Sequence, residues 1–251
     1  MLIDYLVDSI VYDEDNYKVP NAKKTVERLL KNIEKAYNDL HSVYADKPAE
    51  KWVTDETIMP FSQGNHKLPP STYIINLGTA GLCPGRACGT CNCCSICYAK
   101  NAETQYKEGT ILYRLLQTLR WRSLSAEEIA NQLLKTSDRA KSKKMQYLRI
   151  NESGDVFDKE DITKMSDIAD ILASRNVGTY TYSSRYDLDW SDKSDNLIVN
   201  GSGWMCDNSF IAVDEFTDEM EYRCSGDCDT CDYCKEPNHR LIYVKVHGNG
   251  R

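Results

Sequence analysis

Ten of the eleven cysteines in this 251-residue chain fall in two tight groups, and any fold has to be built around that spacing. The first group, Cys83, Cys88, Cys91, Cys93, Cys94 and Cys97, lies within CPGRACGTCNCCSICYAK. The second, Cys224, Cys228, Cys231 and Cys234, lies within CSGDCDTCDYC, and only Cys206 stands apart. Cysteines so closely spaced can aim their sulfurs at one centre, as a four-thiolate metal or iron–sulfur site requires. The same short loops strain a disulfide between neighbours, because the bridge has a narrow geometry. The pattern points to bound metal.

The rest of the composition agrees with that reading. No apolar run approaches the ~20 residues of a membrane-spanning helix, so no membrane partner is expected. The N-terminal MLIDYLVDSIVYDED is acidic and lacks the basic start of a signal peptide. The expected setting is a reducing cytoplasm, where dense thiols act as ligands or catalysts rather than disulfides. A net charge of −7 argues against tight non-specific nucleic-acid binding. The charge is uneven, however: residues 110–149 carry nine Lys/Arg against three Asp/Glu, and residues 187–236 carry three against fourteen. The basic stretch leaves a nucleic-acid contact open without favouring it, since a solvated helix surface is the simpler explanation.

Three regions follow from the pattern. Residues 1–71 read as an N-terminal extension, with a helix from about Asn21 to Tyr44 and then a proline-punctuated loop. Residues 72–220 read as an α/β core holding the first cysteine group, and residues 221–251 as a cysteine-rich segment with a last strand. Within the core, strands are expected at Tyr73–Leu77, Gln146–Ile150, Thr179–Tyr182 and Leu197–Val199, with further candidates at Phe210–Val213 and Leu241–Val246. Helices are expected at Ile111–Arg122, from the capping box Ser125-Ala-Glu-Glu128 to about Lys135, and over 159–175. Strand and helix alternate, which favours a largely parallel sheet, either open or curled into a partial (β/α) barrel.

In such folds, sites collect at the C-terminal ends of the parallel strands. Here the cysteine loop follows the first strand, and Glu152, Ser153, Gly154 and Asp155 follow the second. Ser183 and Arg185 follow the third, and Asn200 ends the fourth. Turn and capping duty competes with function at each of these positions. Hydrolase signatures are missing: there is no GxSxG, no P-loop and no HExxH, and His41, His66, His239 and His247 are widely separated.

A cysteine loop directly after the first strand, ending Cys94-Ser-Ile-Cys97-Tyr98-Ala99, resembles that of radical S-adenosylmethionine enzymes. Glu152-Ser-Gly-Asp155 occupies the place where those enzymes hold the amino group of S-adenosylmethionine. The CPG…CYAK segment, the ESGD segment and the trailing cysteines are also similar to the phage "gene product 88-like" family, over roughly residues 72–247. The radical enzyme resemblance implies a barrel-like α/β fold and a [4Fe–4S] cluster on Cys83, Cys94 and Cys97. One iron would be left for S-adenosylmethionine, whose reductive cleavage would start radical chemistry. Glu152 to Asp155, Ser183, Arg185 and Asn200 would line the cofactor site. These three cysteines have ten and then two residues between them, against the CxxxCxxC of the enzymes, and Cys88, Cys91 or Cys93 can supply a fourth ligand or a second site. An external electron donor and an unidentified substrate complete that expectation.

The second group can wrap Cys224, Cys228, Cys231 and Cys234 around one centre. Successive close cysteines favour a second [4Fe–4S] cluster, and zinc remains open. The alternative to an enzyme is an iron–sulfur or zinc protein without turnover, whose metal holds a surface for a host or phage macromolecule.

Overall fold

The computed structural model describes Lys31, residues 54–56 and residues 60–246. The helix expected over 21–44 falls, apart from Lys31, outside the described residues, as do His41 and His247.

Strands β1 (Ser62–Gln63), β2 (Thr72–Ile75), β3 (Tyr147–Ile150), β4 (Gly178–Ser183), β5 (Leu197–Ser202), β6 (Asn208–Val213), β7 (Tyr222–Arg223) and β8 (Leu241–Lys245) form one sheet. Among the described residues it is eight-stranded and open, in the order β1-β2-β3-β4-β5-β6-β8-β7. The short edge strand β1 is antiparallel to β2, and every other pair is parallel. The sheet does not close into a barrel. Its register aligns Ile75 with Ile150, Ile150 with Thr181 and Thr181 with Val199, so the chain leaves β2 to β5 along one edge.

Five helices join the described strands: α1 (Pro84–Ala87), α2 (Tyr98–Gln105), α3 (Lys107–Ser123), α4 (Ala126–Arg139) and α5 (Lys159–Ala173). The start of α4 is fixed as the capping box predicts. The Glu128 amide donates to Ser125 Oγ at 3.2 Å, and the Ser125 amide donates to Glu128 Oε2 at 2.8 Å. Alternate strand residues face opposite sides, and both sides are covered. On one side Tyr73, Ile75, Leu148, Ile150, Leu197 and Val199 pack against Ile129 and Leu133 of α4 and Ile162, Met165, Ile168 and Leu172 of α5. This is the main core.

The second side carries larger and more polar groups: Asn76, Tyr147, Arg149, Tyr180, Tyr182, Asn200, Asn208 and Phe210. Gln117 of α3 covers one end, where its Oε1 accepts from the Asn76 side chain at 2.7 Å and its Nε2 donates to the Ile74 carbonyl at 3.3 Å. The C-terminal cysteine segment covers the other. Asn200 Nδ2 donates to the Cys234 carbonyl at 2.9 Å, and Asn208 Nδ2 donates to the Glu236 carbonyl at 2.8 Å. Lys235 Nζ sits 4.7 Å from the centre of the Tyr147 ring. The described part of the region expected over 221–251, residues 221–246, thus lies partly against the sheet. Parallel neighbours normally need a crossover of a dozen residues or more. Between β5 and β6 residues 203–207 suffice, because the two strands overlap only from Asn200 to Ser202.

Candidate functional site

The first cysteine loop is pressed onto the strand ends by a glycine. A Cβ on Gly85 would stand 2.1 Å from Ser184 Oγ and 3.0 Å from Asp155 Oδ2. The Gly85 carbonyl then gathers the loop, accepting from the amides of Thr90 and Cys91, each at 3.0 Å, and from the Thr90 hydroxyl at 3.1 Å. The chain continues through a tight turn at Cys94–Ile96, and Cys97 opens α2.

This winding brings five thiols into one field. Cys91 Sγ and Cys93 Sγ are 3.6 Å apart. Hydrogen bonds from the thiols of Cys93 and Cys94 hold the Cys91 thiol well below its ordinary range, and Ser184 adds to them. The same bonds to Cys91 raise Cys93 and Cys94. Burial pushes Cys83 well up, assisted by the charges of Asp155, Cys91 and Cys97. Cys88 is exposed and lies in the field of Arg185. All eleven cysteines carry free thiols.

As the side chains stand, no three His, Cys, Asp or Glu groups among the described residues are arranged to hold a metal ion. The fit lies in the donor set. Soft, unbridged thiols are grouped on one loop, and the Cys91–Cys93 spacing is close to the ~3.8 Å that tetrahedral geometry with ~2.3 Å metal–sulfur bonds gives two thiolates.

Beside this loop, residues 151–155 form a tight connection after β3. Glu152 accepts from Asn65 Nδ2 at 2.7 Å and is hydrogen-bonded to the Tyr98 hydroxyl, which burial and the Glu152 charge hold above its ordinary range. The Ser153 amide donates to Asn76 Oδ1 at 2.7 Å. Gly154, at φ +81°, passes so close to Gly78 that a Cβ would meet the Gly78 nitrogen at 2.5 Å. Asp155 is enclosed by four donors: the hydroxyls of Ser183 and Ser184, each at 2.7 Å, and the amides of Ser184 and Val156, each at 2.8 Å. Burial still raises its carboxyl above the ordinary range.

The sequence-based candidates therefore divide. Glu152, Ser153 and Gly154 line the connection next to the cysteines. Asp155 and Ser183 latch the ends of β3 and β4 together. Arg185 is fully engaged, with Asp187 on one side and the carbonyls of Val156 and Phe157 on the other. Asn200 binds the Thr181 and Cys234 carbonyls and accepts from Asn208 Nδ2 at 3.1 Å.

Two residues at this strand end escaped sequence reasoning. Asn151 has φ 65°. Its side chain is 4% exposed, and neither amide atom has a hydrogen-bond partner. Arg149 lies on the second side of the sheet, its guanidinium carbon 4.9 Å from the Tyr182 ring centre. The signal for Arg149 was present: a charge inside the short strand Tyr147-Leu-Arg-Ile150, between the buried Leu148 and Ile150.

The second cysteine group sits over that same side. The Cys224 amide donates to the Tyr243 carbonyl at 2.8 Å, tying the segment to β8. Burial raises the Cys234 thiol, against the pull of a Tyr182 hydrogen bond and the charges of Arg149 and Lys235. Burial raises Cys228 too, together with the charges of Cys234 and Cys224. Lys67 is held below its ordinary range by burial, opposed by the fields of Cys224 and Cys228. Asn65 and Lys67 thus place one loop between the two cysteine groups.

No curated protein and no solved structure matches the chain. One family model, Gene product 88, matches residues 21–210. The match starts well before residue 72, so residues 21–71, outside the resemblance expected from the sequence, are part of the family's pattern. It also ends before Cys224, which leaves the trailing cysteines outside the matched residues. With most of its length covered, the chain belongs to the Gene product 88 family.

Proposed function

We propose that the chain is an iron–sulfur protein of the radical S-adenosylmethionine type, with its reactive centre in the first cysteine loop. The observation that carries this reading is the gathering of Cys83, Cys91, Cys93, Cys94 and Cys97 at the C-terminal ends of parallel strands, against the 151–155 connection. Cys83, Cys94 and Cys97 are the proposed cluster ligands. When bound, a [4Fe–4S] cluster supplies the electron that cleaves the sulfonium bond of S-adenosylmethionine.

The chain's own residues position and shield. Glu152, held between Asn65 and Tyr98, is the group placed to take a cationic amine. Asn151 offers a buried amide without an internal partner, and buried polar groups of that kind are rare unless a ligand or water satisfies them. Asp155, Ser183 and Arg185 act one layer back by holding the strand ends in register.

A second reading has a specific observation behind it. Asp155, Arg185 and Asn200 spend their polar atoms on internal partners, as expected of a metal-held scaffold that binds a macromolecule without turnover. Spectroscopy separates the two. Anaerobic, dithionite-reduced protein should give a [4Fe–4S]⁺ electron paramagnetic resonance signal that changes on adding S-adenosylmethionine, with 5′-deoxyadenosine released. Glu152→Ala should weaken the change. Cluster-loaded protein whose signal ignores S-adenosylmethionine would leave the second reading standing.

A further inference from the structure

We infer that Arg149 is the counter-charge of a metal centre held by Cys224, Cys228, Cys231 and Cys234, and that it sets how readily that centre is reduced and how firmly it is kept. The inference rests on the proposal that these thiols bind metal, but not on any reaction of S-adenosylmethionine at the first loop.

The geometry carries it. Arg149 projects from β3, next to the middle of the sheet, on the side that the cysteine segment covers. Its guanidinium is stacked over Tyr182, and its Nε is buried without a hydrogen-bond acceptor. Among the described residues no carboxylate pairs with it, whereas Arg114, Arg122 and Arg185 each have one. A cation in that position is costly unless an anion stands nearby. The Glu152 charge acts on it without forming an ion pair, that carboxylate being tied to Asn65 and Tyr98.

The anion on offer is the thiolate set. Tyr182, beneath the guanidinium, is hydrogen-bonded to Cys234, whose backbone is pinned to β5 by Asn200. Cys228 and Cys234 both feel the Arg149 charge. Two further cations flank the group: Lys67 near Cys224 and Cys228, and Lys235, whose Nζ donates to the Cys228 carbonyl at 3.1 Å. Lys235 also has Asp232 Oδ1 at 3.0 Å, so its charge is partly spent locally. Arg149 is not. Four thiolates around a divalent ion or a cubane cluster leave a net negative centre, and net charge and hydrogen bonding are the protein's main controls on cluster potential.

The test compares the full-length, anaerobically prepared protein with Arg149→Gln and Arg149→Lys, by metal and sulfide content and a potentiometric titration followed by electron paramagnetic resonance. Cys224→Ser/Cys228→Ser identifies the signal of this centre. Expected is a shift of that signal to lower potential in Arg149→Gln, largely restored in Arg149→Lys, with the first-loop signal unmoved. If the centre holds zinc instead, a chelator should strip it about tenfold faster from Arg149→Gln, again with recovery in Arg149→Lys. Equal potentials, or equal stripping rates, in wild type and Arg149→Gln would overturn the inference. So would equal damage in both variants, which would mark a packing role, or a wild-type protein with no metal on these thiols. A first-loop signal indifferent to S-adenosylmethionine would remove the proposed function while leaving this result intact.

Discussion

A methyl group on Gly154 would stand 2.5 Å from the Gly78 nitrogen, and the residue's φ of +81° already lies where side chains are strained. Gly78 presents the other side of the same contact, yet its own Cβ would reach only the Gly154 Cα at 3.7 Å, an ordinary separation. Gly154→Ala should therefore cost about 2–4 kcal/mol, read as a lower urea midpoint, while Gly78→Ala should be close to neutral. Equal effects at the two positions would show that the contact is looser than drawn. The residue scale is also where sequence reasoning stopped short. The place of the 152–155 segment at a strand end was legible from pattern alone. That Asp155 meets three donors from Ser183 and Ser184 besides the adjacent Val156 amide, and Glu152 two from Asn65 and Tyr98, was not, because only the tertiary fold brings those four residues there.

Most elements were legible, because buried parallel strands read as short apolar runs and α4 announces itself with a capping box. Strands β2 to β6 and β8 lie within three residues of their expected bounds, β5 running furthest past its expected end, to Ser202. The exceptions have physical causes. Helix α2 begins inside the cysteine motif at Tyr98, where spacing signals metal more strongly than helix. Strand β7 is two residues long and gains its order from β8. The docking of the C-terminal segment could not be foreseen, since it depends on two asparagines buried in β5 and β6. Asn200, fully buried, donates to Thr181 and Cys234, and Asn208 to Tyr233 and Glu236. Asn200→Ala leaves the Thr181 and Cys234 carbonyls without these donors, a cost of about 1–3 kcal/mol for each group stranded away from water. The loss should be local. Hydrogen exchange should accelerate in residues 224–240 while α4 and α5 keep their protection. Uniform acceleration would mean that the segment and the main core unfold as one.

At the scale of the molecule, two layers back one sheet, and they differ in what holds them. The α4/α5 layer is apolar, with Ile129, Leu133, Met165, Ile168 and Leu172 all fully buried against the sheet, and it should not need metal. The opposite layer rests on the two asparagines, an edge-on series from Tyr147 through Tyr180 and Tyr182 to Phe210, and a thiol group that charge repulsion and burial oppose. Ligation, as proposed for these thiols, would turn them from a liability into a cross-link and couple metal binding to local folding there. Removing metal with a chelator under reducing conditions should free residues 224–240 and expose Tyr147, Tyr180 and Tyr182. Helices α4 and α5 should remain folded, giving two stages in thermal unfolding where the loaded protein gives one. Exchange mass spectrometry with and without metal makes the distinction. Protection lost first on the tyrosine side places the stapling in the C-terminal segment. Loss across both layers together would mean that the apolar core is too small to stand alone, and that the cysteine segment completes the fold rather than capping it.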